Sequence, residues 1–304
     1  MPSFYCLDER EIWHKAACEA AQRAGYQAKR IFSGHRYDVA FHPGDVGFIR
    51  PHADWRQLPE NRDDYARMVA AGMTVIQDAQ QVAVYENKSF QFEKCGNWMP
   101  DTWRFTNAEA AQAFIASADY PLVSKADVGA SSVNVRILQN RKQAELHIAQ
   151  LFGDGVKVHH GANCPQTKQK GYALLQRFIP HQITYRVNAV GDCRAVFFRR
   201  CYPDKPVAQT GNTTAACEMT QELESLLEYA DRVLANIGSK WCALDILKDV
   251  DGSWKLLETS LAWPWAADSY ADATMFRSTK GRKWAQIFDT MFDEVERGAW
   301  SSGH

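Results

Sequence analysis

The stretch ALDILKDVDGSWKLLETSL, residues 243–261, places two acids, Asp245 and Glu258, inside apolar runs that otherwise have the composition of buried strands. Asp251-Gly252 between the runs is a strong two-residue hairpin signal, so the chain is expected to reverse there. That reversal sets Lys248 opposite Lys255 and Asp245 opposite Glu258, and a four-residue loop over 250–253 keeps the same register. Directly opposed side chains share one face about 5 Å apart, where like charges repel, by roughly 3 kcal/mol at an effective dielectric of about 20. A positive group is therefore expected between them. One candidate is Mg²⁺, which prefers one or two carboxylates, waters and nucleotide phosphates to a full protein cage, with Ser260 on the same face lending a third oxygen. The alternatives are that one acid is protonated, or that each is paired with an Arg or Lys from elsewhere.

With 304 residues the chain holds one large or two medium domains and an ample core. Its formal charge of −1 gives no global field toward nucleic acid or an anionic membrane. No run approaches 18 apolar residues, and Asp8, Glu9, Arg10 and Glu11 stand where a secretory signal needs an apolar core, so a cytoplasmic location is expected. The eight cysteines form no C-x-x-C pair and read as small buried apolar residues. The terminal SSGH reads as an expression-tag remnant.

Three regions follow in order. Residues 1–85 read as a small α/β domain: the strands SFYCL, YQAKRIF and VGFIRP, with helices over about 9–24 and 62–71. Arg50 and His52, at a strand end, are candidates for an anionic substrate, or cap a loop. In residues 86–170 a strand ending in Lys125 leads into the loop DVGASS, a strand, and the helix RKQAELHIAQLF. Backbone N–H groups of a loop built from Gly, Ala and Ser approach phosphate oxygens closely. Residues 171–300 open with YALLQRFIP and a hairpin turning at Gly191-Asp192, which puts Thr184, Arg186 and Asn188 on one face with Ala195, Phe197 and Arg199. Planar guanidinium groups there suit phosphate or carboxylate; alternatively the face is simply solvated. A helix over about 221–237, the acidic hairpin and a last helix around 281–296 complete the chain.

This ordered set resembles the ATP-grasp superfamily over roughly residues 80–268, in particular its branch of ribosomal-protein glutamate ligases, synapsins and amino-acid ligases. The resemblance implies an α/β and α+β fold, with an N-terminal α/β domain and two α+β subdomains clamping ATP and Mg²⁺. It implies phosphate-binding roles for Lys88 and Lys125, a phosphate lid containing Gly129, Ser131 and Ser132, and an adenine edge at Gln176, Phe178 and Ile179. Arg186 matches the arginine on the transferred phosphoryl group, with Arg199 or Arg200 as its partner; strand parity prefers Arg199. Asn212 in TGNTTA matches a phosphate-loop Asn, and Asp245, Glu258 and Ser260 match the metal ligands. Two departures stand out: Thr184 occupies the place of a ribose-binding acid, and ETS replaces the family's usual Glu-x-Asn.

The implied function is an ATP-dependent, ADP-forming carboxylate-amine ligase acting through an acyl phosphate, on a small-molecule or peptide carboxylate and an amine acceptor. A non-catalytic ATP-binding regulator and an ATP-grasp kinase are the rival readings. No nucleic-acid or membrane partner is expected, and a homo-oligomer is compatible with the sequence. His159-His160 looks like a metal pair, but adjacent side chains on an extended segment diverge. Trp263 and Trp265, just past the metal motif, line the acceptor cleft or pack a loop.

Overall fold

The computed structural model describes residues 1–7, 11–31, 38–50, 58–77, 82, 87–129, 134–159, 167–202, 205–261, 263 and 270–300, with backbone alone at 11, 12, 58, 202 and 205–212. The first sheet is parallel, in the order β2-β1-β3-β4, from β1 (Ser3–Leu7), β2 (Gln27–Arg30), β3 (Val46–Ile49) and β4 (Thr74–Val75). Helix α1 (Glu11–Arg23) is the crossover between β1 and β2, and α2 (Leu58–Ala70) precedes β4. Every residue of β1 and β3 is buried, as expected of central parallel strands covered on both faces.

Helix α3 (Lys88–Cys95) starts where the Asn87 side chain accepts from Phe90 N. The second sheet is antiparallel, in the order β5-β10-β6-β7, from β5 (Thr102–Phe105), β6 (Leu122–Lys125), β7 (Val135–Leu138) and β10 (Ala173–Arg177). Helices α4 (Ala108–Ser117) and α5 (Arg141–Phe152), capped by Asn107 and Asn140, cover one face through Ile115 and Ile148. The short hairpin of β8 (Val156–Val158) and β9 (Thr167–Gln169) follows α5. Strand β10 thus pairs inside the second sheet, past the division expected at residue 170, while Gln91 of α3 bonds both ways with the Thr259 backbone in the third sheet.

The third sheet is antiparallel, in the order β13-β12-β11-β14-β15, from β11 (Ile183–Val190), β12 (Cys193–Tyr202), β13 (Lys205–Ala215), β14 (Trp241–Lys248) and β15 (Trp254–Ser260). Helix α6 (Gln221–Ile237) lies on one face, where Leu226, Val233 and Ile237 pack with Val187, Val196 and Leu244. The opposite face is not a solvated one. Toward the β11–β12 turn it is buried against the first sheet, with Ala195, Trp241 and Ala243 in one core with Phe4, Trp13, Phe48 and α7 (Ile287–Glu296). That last helix begins six residues later than the sequence pattern implied, after the short 3₁₀ turn of Trp284–Gln286.

The β11–β12 register is the expected one, Thr184 opposite Arg199 and Val190 opposite Cys193. In the acidic hairpin, Asp249 N donates to Ser253 O, so the loop is 250–252 and Lys248 faces Trp254 rather than Lys255. Gly252, at φ +85°, supplies the left-handed residue that such an odd-length loop needs. A one-residue shift turns every following side chain to the other face, and an irregularity at Leu257 reverses it, so that Asp245 again faces Glu258 and Ala243 faces Ser260.

Candidate functional site

The bulge that restores the acid pair leaves Leu257 out of the ladder, and its carbonyl accepts a hydrogen bond from Lys125 Nζ at 3.2 Å. Lys125 ends β6 of the second sheet, so this bond joins the two sheets at the acids. Arg186, beside Asp245 in the β11–β14 register, donates to it through both edges of its fork, Nε to Oδ1 at 2.7 Å and Nη2 to Oδ2 at 2.5 Å. Arg199 Nη1 reaches the same Oδ1 at 3.3 Å. Lys88 Nζ stands 3.2 Å from Glu258 Oε1 and donates to Gly129 O at 3.0 Å. Four basic side chains therefore converge on two carboxylates.

Burial pushes the Asp245 carboxyl up, but Arg186, Arg199 and Lys125 more than offset it and hold the group below the usual carboxylate range. Lys125 is pushed down to about 8, chiefly by burial; Glu258 opposes the shift and Lys88 adds to it. Arg199 is lowered by burial despite Asp245, whereas for Arg186 the Asp245 interaction outweighs burial and raises it. Because basic groups outnumber acids two to one here, the site has an excess of positive charge and suits an anion of more than one negative charge.

The other sequence-predicted residues are placed as follows. Gln176 is buried in β10, on the face of the second sheet that carries Lys125, and donates to Thr102 Oγ1 at 2.8 Å. Phe178 and buried Ile179 follow β10 directly, and the Ile179 carbonyl accepts from His181 Nδ1 at 2.7 Å. Arg177 bridges Asp101 and the turn residue Asp249, tying this connection to the acidic hairpin. Thr184 is buried across from Arg199. Arg200 is not brought to the site: it faces Ile183 on the other side of the sheet and is exposed, because strand parity alternates. Asn212 lies in strand β13 rather than in a loop, and its side chain is outside the described residues. Ser131, Ser132, His52, His160 and Trp265 also lie outside the described residues. Arg50 lies over the Trp13 ring at 5.2 Å, and Trp263 is buried and stacked on Trp241 at 5.0 Å, a packing role.

The acids meet side chains that the sequence singles out for phosphate binding: Arg186 and Arg199 at Asp245, and Lys88 at Glu258. Each acid has a basic partner, the alternative to a metal ion raised by the hairpin itself, so cation binding is not an electrostatic necessity here. The pairing of β11 with β14, which sets Arg186 beside Asp245, joins strands far apart in sequence.

No family model and no curated protein matches the sequence. Solved structures do. A RimK-domain ATP-grasp protein from Sphaerobacter thermophilus DSM 20745 superposes with a TM-score of 0.64 at 19% identity, covering 96% of this chain and 98% of that one. The D-alanine–D-alanine ligase from Bacillus anthracis, solved with ATP, gives 0.63 at 11% identity with both chains covered in full. A RiPP-associated ATP-grasp ligase from Chryseobacterium gregarium, solved with ADP and a leader and core peptide, gives 0.64 at 12% identity, over 98% and 97% of the two chains. The chain has the ATP-grasp fold.

An ATP-grasp fold raises the question of Mg²⁺, and the donor set answers it. A carboxylate offers about four lone-pair sites. Among the described residues Asp245 accepts from Arg186 Nε, Arg186 Nη2 and Arg199 Nη1, which leaves one such site, whereas Glu258, its side chain 33% exposed, is engaged at Oε1 by Lys88. Among the described residues no group of three His, Cys, Asp or Glu side chains gathers for an ion. These residues fit a Mg²⁺ held mainly by Glu258, with one site of Asp245 and phosphate oxygens; they do not fit a full protein cage.

Proposed function

We propose that this protein is an ATP-dependent carboxylate-amine ligase that forms an acyl phosphate and releases ADP and phosphate. The observation that carries the reading is the convergence of Lys88, Lys125, Arg186 and Arg199 on Asp245 and Glu258, where the second and third sheets of an ATP-grasp fold meet. The ATP and ADP of the structural relatives support the nucleotide, and the peptide of one supports a carboxylate or amine substrate.

In this reading the adenine lies along Gln176, Phe178 and Ile179, and the phosphates run toward Lys88, Lys125 and the loop after Gly129. A carboxylate oxygen attacks the γ-phosphorus as the bond to the ADP oxygen breaks, and the amine then displaces phosphate from the acyl carbon. Neither step needs a protein nucleophile. The chain supplies position and charge: Arg186 and Arg199 compensate the transferring phosphoryl group, while Lys88 and Lys125 hold the nucleotide phosphates. Glu258, Asp245 and Ser260 are the residues that would hold Mg²⁺, which when bound adds charge neutralisation at the phosphates. Asp245 keeps both guanidinium groups aimed into the cleft.

Incubation with Mg²⁺·ATP, a panel of carboxylates and hydroxylamine is expected to give ADP and a hydroxamate. Arg186→Ala and Glu258→Ala should each lower ADP release at least about 100-fold with folding intact. Near wild-type ADP release from both variants rejects the site. A second reading, a non-catalytic ATP-binding regulator, is favoured by Thr184 in place of the family's usual acid and Ser260 in place of its Asn. It predicts nucleotide binding without ADP, and the kinase reading predicts ADP with a stable phosphoproduct and no hydroxamate.

A further inference from the structure

Asn188 stands in strand β11 two residues beyond Arg186, on the same face. It is 2% exposed, and its Oδ1 has no hydrogen-bond partner among the described residues. The register explains why. The cross-strand row through it reads Ala195, Asn188, Ala243, Ser260, so both immediate neighbours are alanines that offer no side-chain donor. Next to it runs the row of Phe197, Arg186, Asp245 and Glu258, the heart of the candidate site. Buried carboxamide oxygens are nearly always satisfied, and a carboxamide between two alanines has nothing to gain from packing alone. Its partner is expected to arrive with a ligand.

Strand β11 also gives the direction. It begins shortly after the connection of Gln176, Phe178 and Ile179 and passes Thr184, then Arg186, then Asn188. With about 3.4 Å per residue, Asn188 lies about 7 Å beyond Arg186, on the side away from the nucleotide in the proposed function. The next residue along this face of the sheet is Val190, paired with Trp241, where the first sheet closes over the third. In the proposed function a group at Asn188 therefore sits past the transferring phosphoryl, on the side from which an attacking amine would meet the acyl carbon. Four basic side chains already surround the acids, so a neutral amine is electrostatically preferred there to an ammonium ion. A neutral amine needs an acceptor, and Asn188 Oδ1 is an uncommitted one.

We propose that Asn188 is a substrate-binding residue that accepts one N–H of the attacking amine at Oδ1, aiming the nitrogen lone pair at the acyl carbon. This rests on the ligase reading above. As the C–N bond forms, the C–O bond to phosphate breaks with its electron pair, and the proton lost by the amine leaves with inorganic phosphate. Asn188 gains and loses no proton.

The test uses the full chain with Mg²⁺·ATP, the carboxylate that gives most ADP in the panel, and hydroxylamine as the amine. The readout is the hydroxamate formed per ADP released, the remainder being acyl phosphate lost to hydrolysis by water. Asn188→Leu is expected to raise the KM for hydroxylamine and lower the hydroxamate-to-hydrolysis ratio about tenfold. ADP release should stay within about threefold of wild type, and calorimetric binding of Mg²⁺·AMPPNP should be unchanged. Asn188→Asp, which keeps an acceptor oxygen at the same place, is expected to retain most of the capture ratio and answers the question should the Leu variant not fold. A ratio in the Leu variant equal to that of wild type, or in the Asp variant as low as a loss of the acceptor would give, overturns the proposal while leaving the ligase intact. Loss of ADP release in step with capture overturns it by placing Asn188 in phosphoryl transfer. No ADP from the wild-type protein with any carboxylate overturns the ligase reading, and this proposal with it.

Discussion

His147 illustrates how a proton's direction decides what a pair of side chains can do. It is buried in α5, with Nε2 2.8 Å from Ser124 Oγ and Nδ1 3.2 Å from Arg136 Nη1. The first distance is that of a nucleophile and its base. Arginine only donates, however, so Nδ1 must accept, and the ring's single hydrogen sits on Nε2 and is donated to Ser124. The hydroxyl is held, not activated. Burial and then Arg136 push the imidazole down to about 4 from 6.5. The charged form is thus disfavoured in the fold. Between pH 6.5 and 4 the unfolded chain takes up a proton that the folded chain refuses, so stability falls as pH is lowered through that window and levels off below it. His147→Gln, which can still donate to Ser124, should lose this component: its unfolding free energy from urea denaturation should fall less steeply than that of wild type between pH 6.5 and 4, by up to about 1.4 kcal/mol per pH unit.

Turns and bulges act at the scale of the element. Gly191 and Gly252 both adopt positive φ at hairpin turns, +57° and +85°. A Cβ at Gly252 meets nothing within 4 Å, so Gly252→Ala should cost only the backbone strain, about 1–2 kcal/mol. A Cβ at Gly191 falls 2.7 Å from Glu294 Cβ and closer still to its carboxylate. Glu294 is buried and accepts from Asp192 N at 2.7 Å and Arg297 Nη1 at 2.6 Å, so it has little room to yield. Gly191→Ala should therefore cost about 2–5 kcal/mol, strain plus overpacking, and chemical denaturation of the two variants side by side should separate them. The Leu257 bulge belongs to the same level: it sets the acids on one face and exposes the carbonyl that Lys125 uses.

Over the whole molecule, the first and third sheets are built as one unit and the second keeps its own core. Trp13 of α1 stacks on Phe48 at 5.9 Å and meets Trp241, Trp263 and Phe288 edge-on at 6.0, 5.6 and 5.8 Å. Apolar contact between these layers is therefore continuous, whereas the second sheet packs on α4 and α5 through Ile115, Leu122, Ile148 and Leu175. Its ties to the third sheet near the site are polar, such as Lys125 to Leu257 O and Arg177 to Asp249. Trp13→Ala should destabilise the first and third sheets together by about 3–5 kcal/mol. In calorimetry one transition should move down while that of the second sheet stays within about a degree or two; a uniform drop of a single transition would show that all three layers melt as one.

The sequence by itself determined what depends on neighbours along the chain. The two hairpins show in Gly191-Asp192 and Asp251-Gly252, and Arg186 and Asp245 fall at predictable parities. ATP-grasp was legible because these short-range signals come in a characteristic order. Only the tertiary structure decided what neutralises the acids, since the partners of Asp245 and Glu258 come from β11, β12 and α3, far away in sequence. It also decided the loop length at 250–252 and the compensating bulge, whose combined effect on Asp245 and Glu258 is the same as that of the simpler turn. A hairpin pattern records which faces two residues share, but not which side chains elsewhere arrive to meet them. Long-range electrostatics is settled by packing, and packing is not periodic.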